Sequence, residues 1–161
     1  RLIRRQRQMC IRDRPKDATY YPNIGPNGID TSGTLVMEYD GFSAVCTGSK
    51  DSDSPGYVCV QGEKGFMKVD SKPNIASELK TVYADENIKE KVKDAAGAMV
   101  RATITEDYKA PEHYHRMTQE FTDFARVIDE KDYETAKEFL DETVAVVKVL
   151  ETARKKAEIE F

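Results

Sequence analysis

The chain has 161 residues, of which 39% are hydrophobic and 34% charged, with no tryptophan and a net charge of −4. That length suits one domain with a real core, the composition excludes disorder throughout, and no apolar run approaches the roughly 20 residues of a membrane span. The three cysteines, Cys10, Cys46 and Cys59, form no C-x-x-C pair or zinc spacing, so a reducing cytoplasm is expected rather than a disulfide framework.

The first fourteen residues carry Arg1, Arg4, Arg5, Arg7, Arg12 and Arg14 against Asp13 alone, in a chain that is acidic overall. Clustered arginine ordinarily points to a polyanion, but this run has no aromatic interleaving and no helical apolar stripe. Codons can be chosen for Arg4 through Asp13 that spell a transposase-based sequencing adapter, and Arg14 fits the codon that follows. Residues 1–14 are therefore expected to be a non-native, disordered segment, with the native chain beginning near Pro15. The acidic remainder repels phosphate backbones, so neither nucleic acid nor membrane is expected as a partner.

From Pro15 to Ser32 the chain is rich in Pro, Gly, Asn and Asp without a sustained period, which reads as a loop or lead-in. GTLVMEYDGFSAVCTGSK then gives two antiparallel strands around Asp40-Gly41, because both positions of that dipeptide tolerate positive φ. GYVCVQ and GFMKVD flank Gly62-Glu63-Lys64-Gly65 as a third and fourth strand. SELKTVY predicts a fifth and AMVRATI a sixth, while the charged stretch 85–101 is expected as a short helix or a long hairpin. In the third and fourth strands Val58, Val60, Met67 and Val69 fall on one face, and Tyr57, Cys59, Gln61, Phe66 and Lys68 on the other. Such a sheet buries one face and leaves a mixed one open, which suits a subunit interface.

The last third is helical. A helix is predicted from Pro111-Glu112 with an apolar stripe of Met117, Phe121, Phe124, Ala125 and Ile128. Asp132 is the expected N-cap of a second helix, whose stripe is Ala136, Leu140, Val144, Val147 and Leu150. Arg154, Lys155 and Lys156 complement its C-terminal dipole, and the closing Ile159-Glu160-Phe161 is expected as an edge strand.

Chemistry is sparse. The glycines of GPNGIDTSG lack the G-x-G-x-x-G spacing and precede a strand, so no dinucleotide fingerprint is present. Asp51-Ser52-Asp53-Ser54 has the opening of a calcium loop, but Gly62 stands where the bidentate Glu belongs, so a solvated turn is expected and no metal. His113 and His115, at i and i+2 near a helix start, point to different sides and lack further ligands. Closing a hairpin between Ser49 and Gly56 would set Cys46 opposite Cys59, as reduced residues in a sheet. Ser49-Lys50, ending a strand beside an acidic turn, can hold an anionic or hydroxylated ligand, or simply end a strand at the surface. Lys50 is the candidate substrate-binding residue. No catalytic, cofactor-binding or metal-binding residue is assigned. The residues alone describe an α+β domain, an open, largely antiparallel sheet packed on a C-terminal helix pair.

The order of motifs goes further. Gly28-Ile29-Asp30-Thr31-Ser32-Gly33, LVMEYDGF, Ser49-Lys50-Asp51-Ser52-Asp53-Ser54 and Val60-Gln61-Gly62-Glu63-Lys64-Gly65 resemble the C-terminal domain of the Gfo/Idh/MocA oxidoreductases. So do Met117 through Phe124, Asp132, Val149 through Arg154 and the terminal Ile159-Glu160-Phe161, and the resemblance covers about residues 25–161. It implies a GAPDH-like C-terminal fold, beside a Rossmann domain that binds NAD or NADP in the full-length protein. It also implies hydride transfer at a hydroxyl carbon of a sugar, inositol or related polyol. The family's glycine fingerprint, catalytic lysine and catalytic-helix Asp and His have no counterpart here. Residues 15–161 are therefore expected to be a partial C-terminal domain, inactive alone and binding no cofactor. They would supply a substrate-cleft wall and a homo-oligomer contact through the open sheet face. The competing expectation is a non-enzymatic binding or assembly module complete as it stands.

Overall fold

The computed structural model describes residues 14–53, 56–71, 77–109 and 117–159. The arginine-rich run up to Asp13, His113 and His115, the helix start at Pro111-Glu112 and the closing Glu160-Phe161 lie outside them. The chain divides into two compact units, one of residues 1–54 with 117–161 and one of residues 55–116.

The first unit is a three-stranded antiparallel sheet with two helices. Its strands are β1 (Asp17–Ile24), β2 (Asp30–Glu38) and β3 (Ser43–Ser49), in that spatial order. β1 corrects the reading of residues 15–32 as a lead-in. Tyr20 and Tyr21 favour an extended backbone, and Pro22 is tolerated because β1 is an edge strand with no second ladder to supply. The turn-forming residues belong to the connection after it, where Gly28 takes φ 76° and its amide donates to the Gly25 carbonyl at 3.0 Å. The β2–β3 hairpin turns at Asp40-Gly41 as expected, with Gly41 at φ 81° and Tyr39 stacked on Phe42 at 4.4 Å.

Register aligns Ala18 with Met37 and Ala44, then Tyr20 with Leu35 and Cys46. This face carries the core: Ala18, Met37, Tyr39 and Ala153 are buried together, with Tyr20, Leu35, Ala44 and Val149 packed against them. Helices α1 (Thr118–Asp129) and α2 (Tyr133–Lys156) follow. Asp132 caps α2 as expected, accepting from the Thr135 amide at 3.1 Å. The face of α2 that meets the sheet is not the expected one. Val149 and Ala153 pack on the core, while Leu140, Val144, Val147 and Leu150 stay 61%, 56%, 57% and 48% exposed. A small residue at 153 lets the helix come close to the sheet, and a bulky stripe rotated to that side would hold it off. In α1, Phe121, Phe124 and Ile128 are likewise exposed.

The second unit is an antiparallel meander of β4 (Val58–Gly62), β5 (Gly65–Val69), β6 (Glu78–Ala84) and β9 (Thr103–Lys109). A separate hairpin is formed by β7 (Lys91–Lys93) and β8 (Met99–Arg101). Stretch 85–101 thus resolves as a hairpin, turned at Gly97 with φ 83°. The Asp94 carboxylate accepts from the amides of Ala96 and Ala98. AMVRATI is two strands rather than one, broken at the buried Ala102. Val58 pairs with Val69 and Val60 with Met67 on one face, as the alternation required. β3 does not pair with β4: Cys46 lies opposite Leu35 and Cys59 opposite Lys68.

Candidate functional site

The end of the first unit's sheet, where β2 begins and β3 finishes, gathers its polar side chains. Lys50 follows β3 and extends the ladder by one bond, its amide donating to the Thr31 carbonyl at 2.8 Å. This fixes the root of the side chain, whose Nζ donates to the Asp30 carbonyl oxygen at 3.2 Å. The Asp30 carboxylate is largely buried, with 13% of its side chain exposed. Its Oδ2 accepts from the Tyr20 hydroxyl at 2.9 Å, and its Oδ1 lies 3.8 Å from Nη1 of Arg154 in the last turn of α2.

Two glycines shape the space beside this group. Gly33 and Gly48 are cross-strand partners, one row along from Tyr20, Leu35 and Cys46. The Tyr20 ring lies over Gly33 so closely that a Cβ there would sit 2.4 Å from it. With no side chain on either glycine, a cavity of about 390 Å³ opens, lined by Tyr20, Gly33, Leu35, Cys46, Gly48 and Lys50 among others. That is within the usual range for a small-molecule pocket.

The electrostatics are one-sided. Asp30 is held below the ordinary aspartate range by the Tyr20 hydroxyl first, with Lys50 and Arg154 adding to it against the opposing effect of burial. Tyr20 is pushed above the ordinary phenol range by burial first and then by the Asp30 carboxylate. At neutral pH Asp30 is a carboxylate and Tyr20 a protonated phenol whose proton is engaged. Neither is poised to exchange a proton with a substrate. Lys50 has three donor directions, and with one on a carbonyl oxygen it can offer others to a hydroxyl or carbonyl oxygen in the cavity. The arrangement can bind and orient such a group.

The acidic turn expected as a solvated connection is knitted to itself. Ser49 Oγ donates to Asp51 at 2.7 Å and lies 2.8 Å from Ser52 Oγ, while Thr31 and then Ser49 hold the Asp51 carboxyl below its usual range. Among the described residues no three His, Cys, Asp or Glu side chains converge as a metal site. Nor do they build a dinucleotide cradle: α1 and α2 start behind Met117 and Asp132 rather than a glycine loop, and the paired strands run antiparallel. The phosphate turn of a nicotinamide cofactor needs a parallel strand, a glycine loop and a helix start, so no residue here is assigned to that cofactor. No described helix is long and apolar enough to cross a membrane.

Sequence reasoning singled out Lys50, which lies at the cavity edge, and gave no site role to Tyr20, Asp30 or Arg154. Asp30 stood in the GIDTSG motif without a role, and Arg154 was accounted for by the helix dipole. A signal for Tyr20 existed only in three dimensions, as the ring that Gly33 leaves room for.

No family model matches the chain. It is 26% identical over 147 residues to scyllo-inositol 2-dehydrogenase (NADP(+)) IolU of Bacillus subtilis, covering 91% of this chain and 39% of that protein. It is 28% identical over 116 residues to the uncharacterized oxidoreductase YgjR of Escherichia coli, covering 72% of this chain and 30% of that protein. The chain thus spans well under half the length of either relative. Motif order, an antiparallel sheet with a closing helix pair and two oxidoreductase relatives are consistent with the resemblance to a Gfo/Idh/MocA C-terminal domain.

Proposed function

We propose that the chain is the substrate-cleft and oligomerisation part of an NAD(P)-dependent oxidoreductase that acts on a sugar, inositol or related polyol by hydride transfer. The nicotinamide cofactor is bound outside the residues of this chain, and the chain alone does not catalyse. The observation that carries the reading is the cavity over the Gly33–Gly48 row with Lys50 at its edge. It pairs an apolar floor with an ammonium, as a ring of hydroxylated carbons requires. The resemblance of the chain to an enzyme described as an inositol dehydrogenase points the same way.

Ligand-observed NMR with scyllo-inositol tests this. Saturable binding is expected, weakened about tenfold in Lys50→Met, the loss that follows from removing one hydrogen bond from a charged donor. Absence of saturable binding, or equal binding by the variant, would sink the assignment. Saturable micromolar binding of NADPH would move the cofactor site onto this chain.

The oligomer contact is assigned to the open mixed face of the four-stranded sheet, where Tyr57 and Phe66 are 57% and 39% exposed. Apolar rings on an open sheet face lose water when a second copy covers them. Sedimentation velocity across a concentration series is expected to show self-association that Phe66→Lys reduces. A monomer at every concentration would rule the contact out.

A further inference from the structure

The geometry points to Arg154 as the positioning residue of the Tyr20–Asp30–Lys50 pocket, holding Asp30 from the end of α2 so that Lys50 stays free to face a ligand. The inference rests on the reading of that cavity as a polyol site, and it concerns a residue that does not line the cavity.

Three observations carry it. Arg154 is a cation beside Asp30 Oδ1, at 3.8 Å, while Oδ2 accepts from the Tyr20 hydroxyl. Lys50 hydrogen-bonds Asp30 at the backbone carbonyl, at 3.2 Å, and acts on its carboxylate through charge alone. Finally, the guanidinium is carried on a fixed base. The Arg154 carbonyl accepts from the amides of Ala157 and Ile159 in the closing turn of α2, the neighbouring Ala153 is buried in the core, and Lys156 pairs with Asp17 on β1.

The physical consequence follows from charge balance. A largely buried carboxylate needs a cation. With Arg154 present, Asp30 has one on the helix side. Without it, the other cation acting on Asp30 among the described residues is the Lys50 ammonium, already hydrogen-bonded to the Asp30 backbone, and the carboxylate would draw it in. The ligand-facing donor would then be spent inside the protein. At 3.8 Å the Arg154–Asp30 contact is an ion pair beyond hydrogen-bond length, so its effect follows charge more than guanidinium shape, and lysine at 154 should substitute for much of it.

The experiment compares wild type, Arg154→Gln, Arg154→Lys and Asp30→Asn by two readouts. One is scyllo-inositol affinity. The other is the titration of the Tyr20 phenol, followed by NMR of ring-labelled tyrosine assigned with Tyr20→Phe, with circular dichroism confirming the fold at each pH. The groups that face Tyr20 are Asp30 and Arg154, and those that face Asp30 are Tyr20, Lys50 and Arg154. Arg154→Gln is expected to weaken binding about tenfold and to move the Tyr20 midpoint upward, since a cation that favours the phenolate is gone. Arg154→Lys is expected to restore both readouts most of the way. In an Asp30→Asn background, Arg154→Gln should lower affinity no further, the mark of a residue acting through Asp30, while the Tyr20 midpoint still moves upward because Arg154 acts on the phenolate directly.

A folded Arg154→Gln with unchanged affinity and unchanged Tyr20 titration overturns the inference, as does an equal loss of affinity in the Asp30→Asn background. If Arg154→Gln does not fold, Arg154→Met, which keeps the aliphatic stem, takes its place. If wild type itself binds no polyol, the functional reading fails, and the Tyr20 titration in Arg154→Gln still decides whether the Arg154 charge reaches the Tyr20–Asp30 pair.

Discussion

Gly65→Ala is expected to cost the second unit about 3 kcal/mol, the upper part of the range for forcing atoms into a packed site. An added Cβ would lie 2.0 Å from the Val82 carbonyl oxygen and 2.6 Å from the Tyr83 Cα. Gly65 is the first residue of β5 and pairs with Tyr83 of β6 and Gly62 of β4. The obstruction is therefore backbone in the next strand, which cannot rotate aside as a side chain would. Relief requires parting β5 from β6, the central pair of the four-stranded sheet. Gly48→Ala is the matched control, because nothing lies within 4 Å of a Cβ there. A strand glycine with open space loses little and gains from a stiffer unfolded chain. Urea denaturation of the two variants beside wild type decides the matter. Gly65→Ala no less stable than Gly48→Ala would show that β6 yields, and that the close approach is not a constraint.

The same glycine shows what was legible in the sequence and what was not. Gly62-Glu63-Lys64-Gly65 announced a tight turn, and the turn is there with Gly62 opposite Gly65. Asp40-Gly41 did the same for β2 and β3. Local chemistry at two or four adjacent residues fixes a turn, so a sequence displays it directly. The reason for Gly65 itself, the approach of β6, involves a strand that starts thirteen residues later and could not be read. β1 failed for a related reason: its strand character depends on pairing with β2, while its own residues include Pro22 and little alternation. On α2 the periodicity identified a helix but chose the wrong face, because hydrophobicity ranks Leu140 and Val144 above Ala153, whereas close approach to a sheet favours the small side chain. In the site, Lys50 was legible as a cation at a strand end. Its partners come from β1, the start of β2 and the end of α2, and only tertiary structure brings Tyr20, Asp30 and Arg154 together.

Asp30→Asn is expected to lower the stability of the first unit at pH 7 by about 2 kcal/mol, the scale of losing a hydrogen bond and an ion pair at a mostly buried charged group. The difference from wild type should shrink on acidification. The sign follows from linkage. The folded-state Asp30 titrates below its unfolded value of about 3.9, so its contribution is fully present above the unfolded value and is lost as pH falls through the folded one. Below both, wild type and Asp30→Asn should unfold at nearly the same denaturant concentration. Tyr20 adds a second edge at the alkaline end: its folded value is raised, so what it contributes is present below its unfolded value of about 10 and disappears as pH rises through the folded one. Other carboxylates contribute acid sensitivity of their own, since Asp17, Asp51, Asp132 and Glu151 are also held low by their partners. The acid limb of wild type alone is thus composite, and the informative quantity is the wild-type minus Asp30→Asn difference at each pH. A difference that stays constant from pH 7 down to pH 3 would mean that Asp30 is not held ionised by Tyr20, Lys50 and Arg154. With Asp30 protonated there is no buried carboxylate to draw in Lys50, so polyol affinity should hold over the acid interval in which the stability difference disappears. An affinity that fell together with the stability difference would show that the Asp30 carboxylate contributes to ligand binding rather than competing for Lys50.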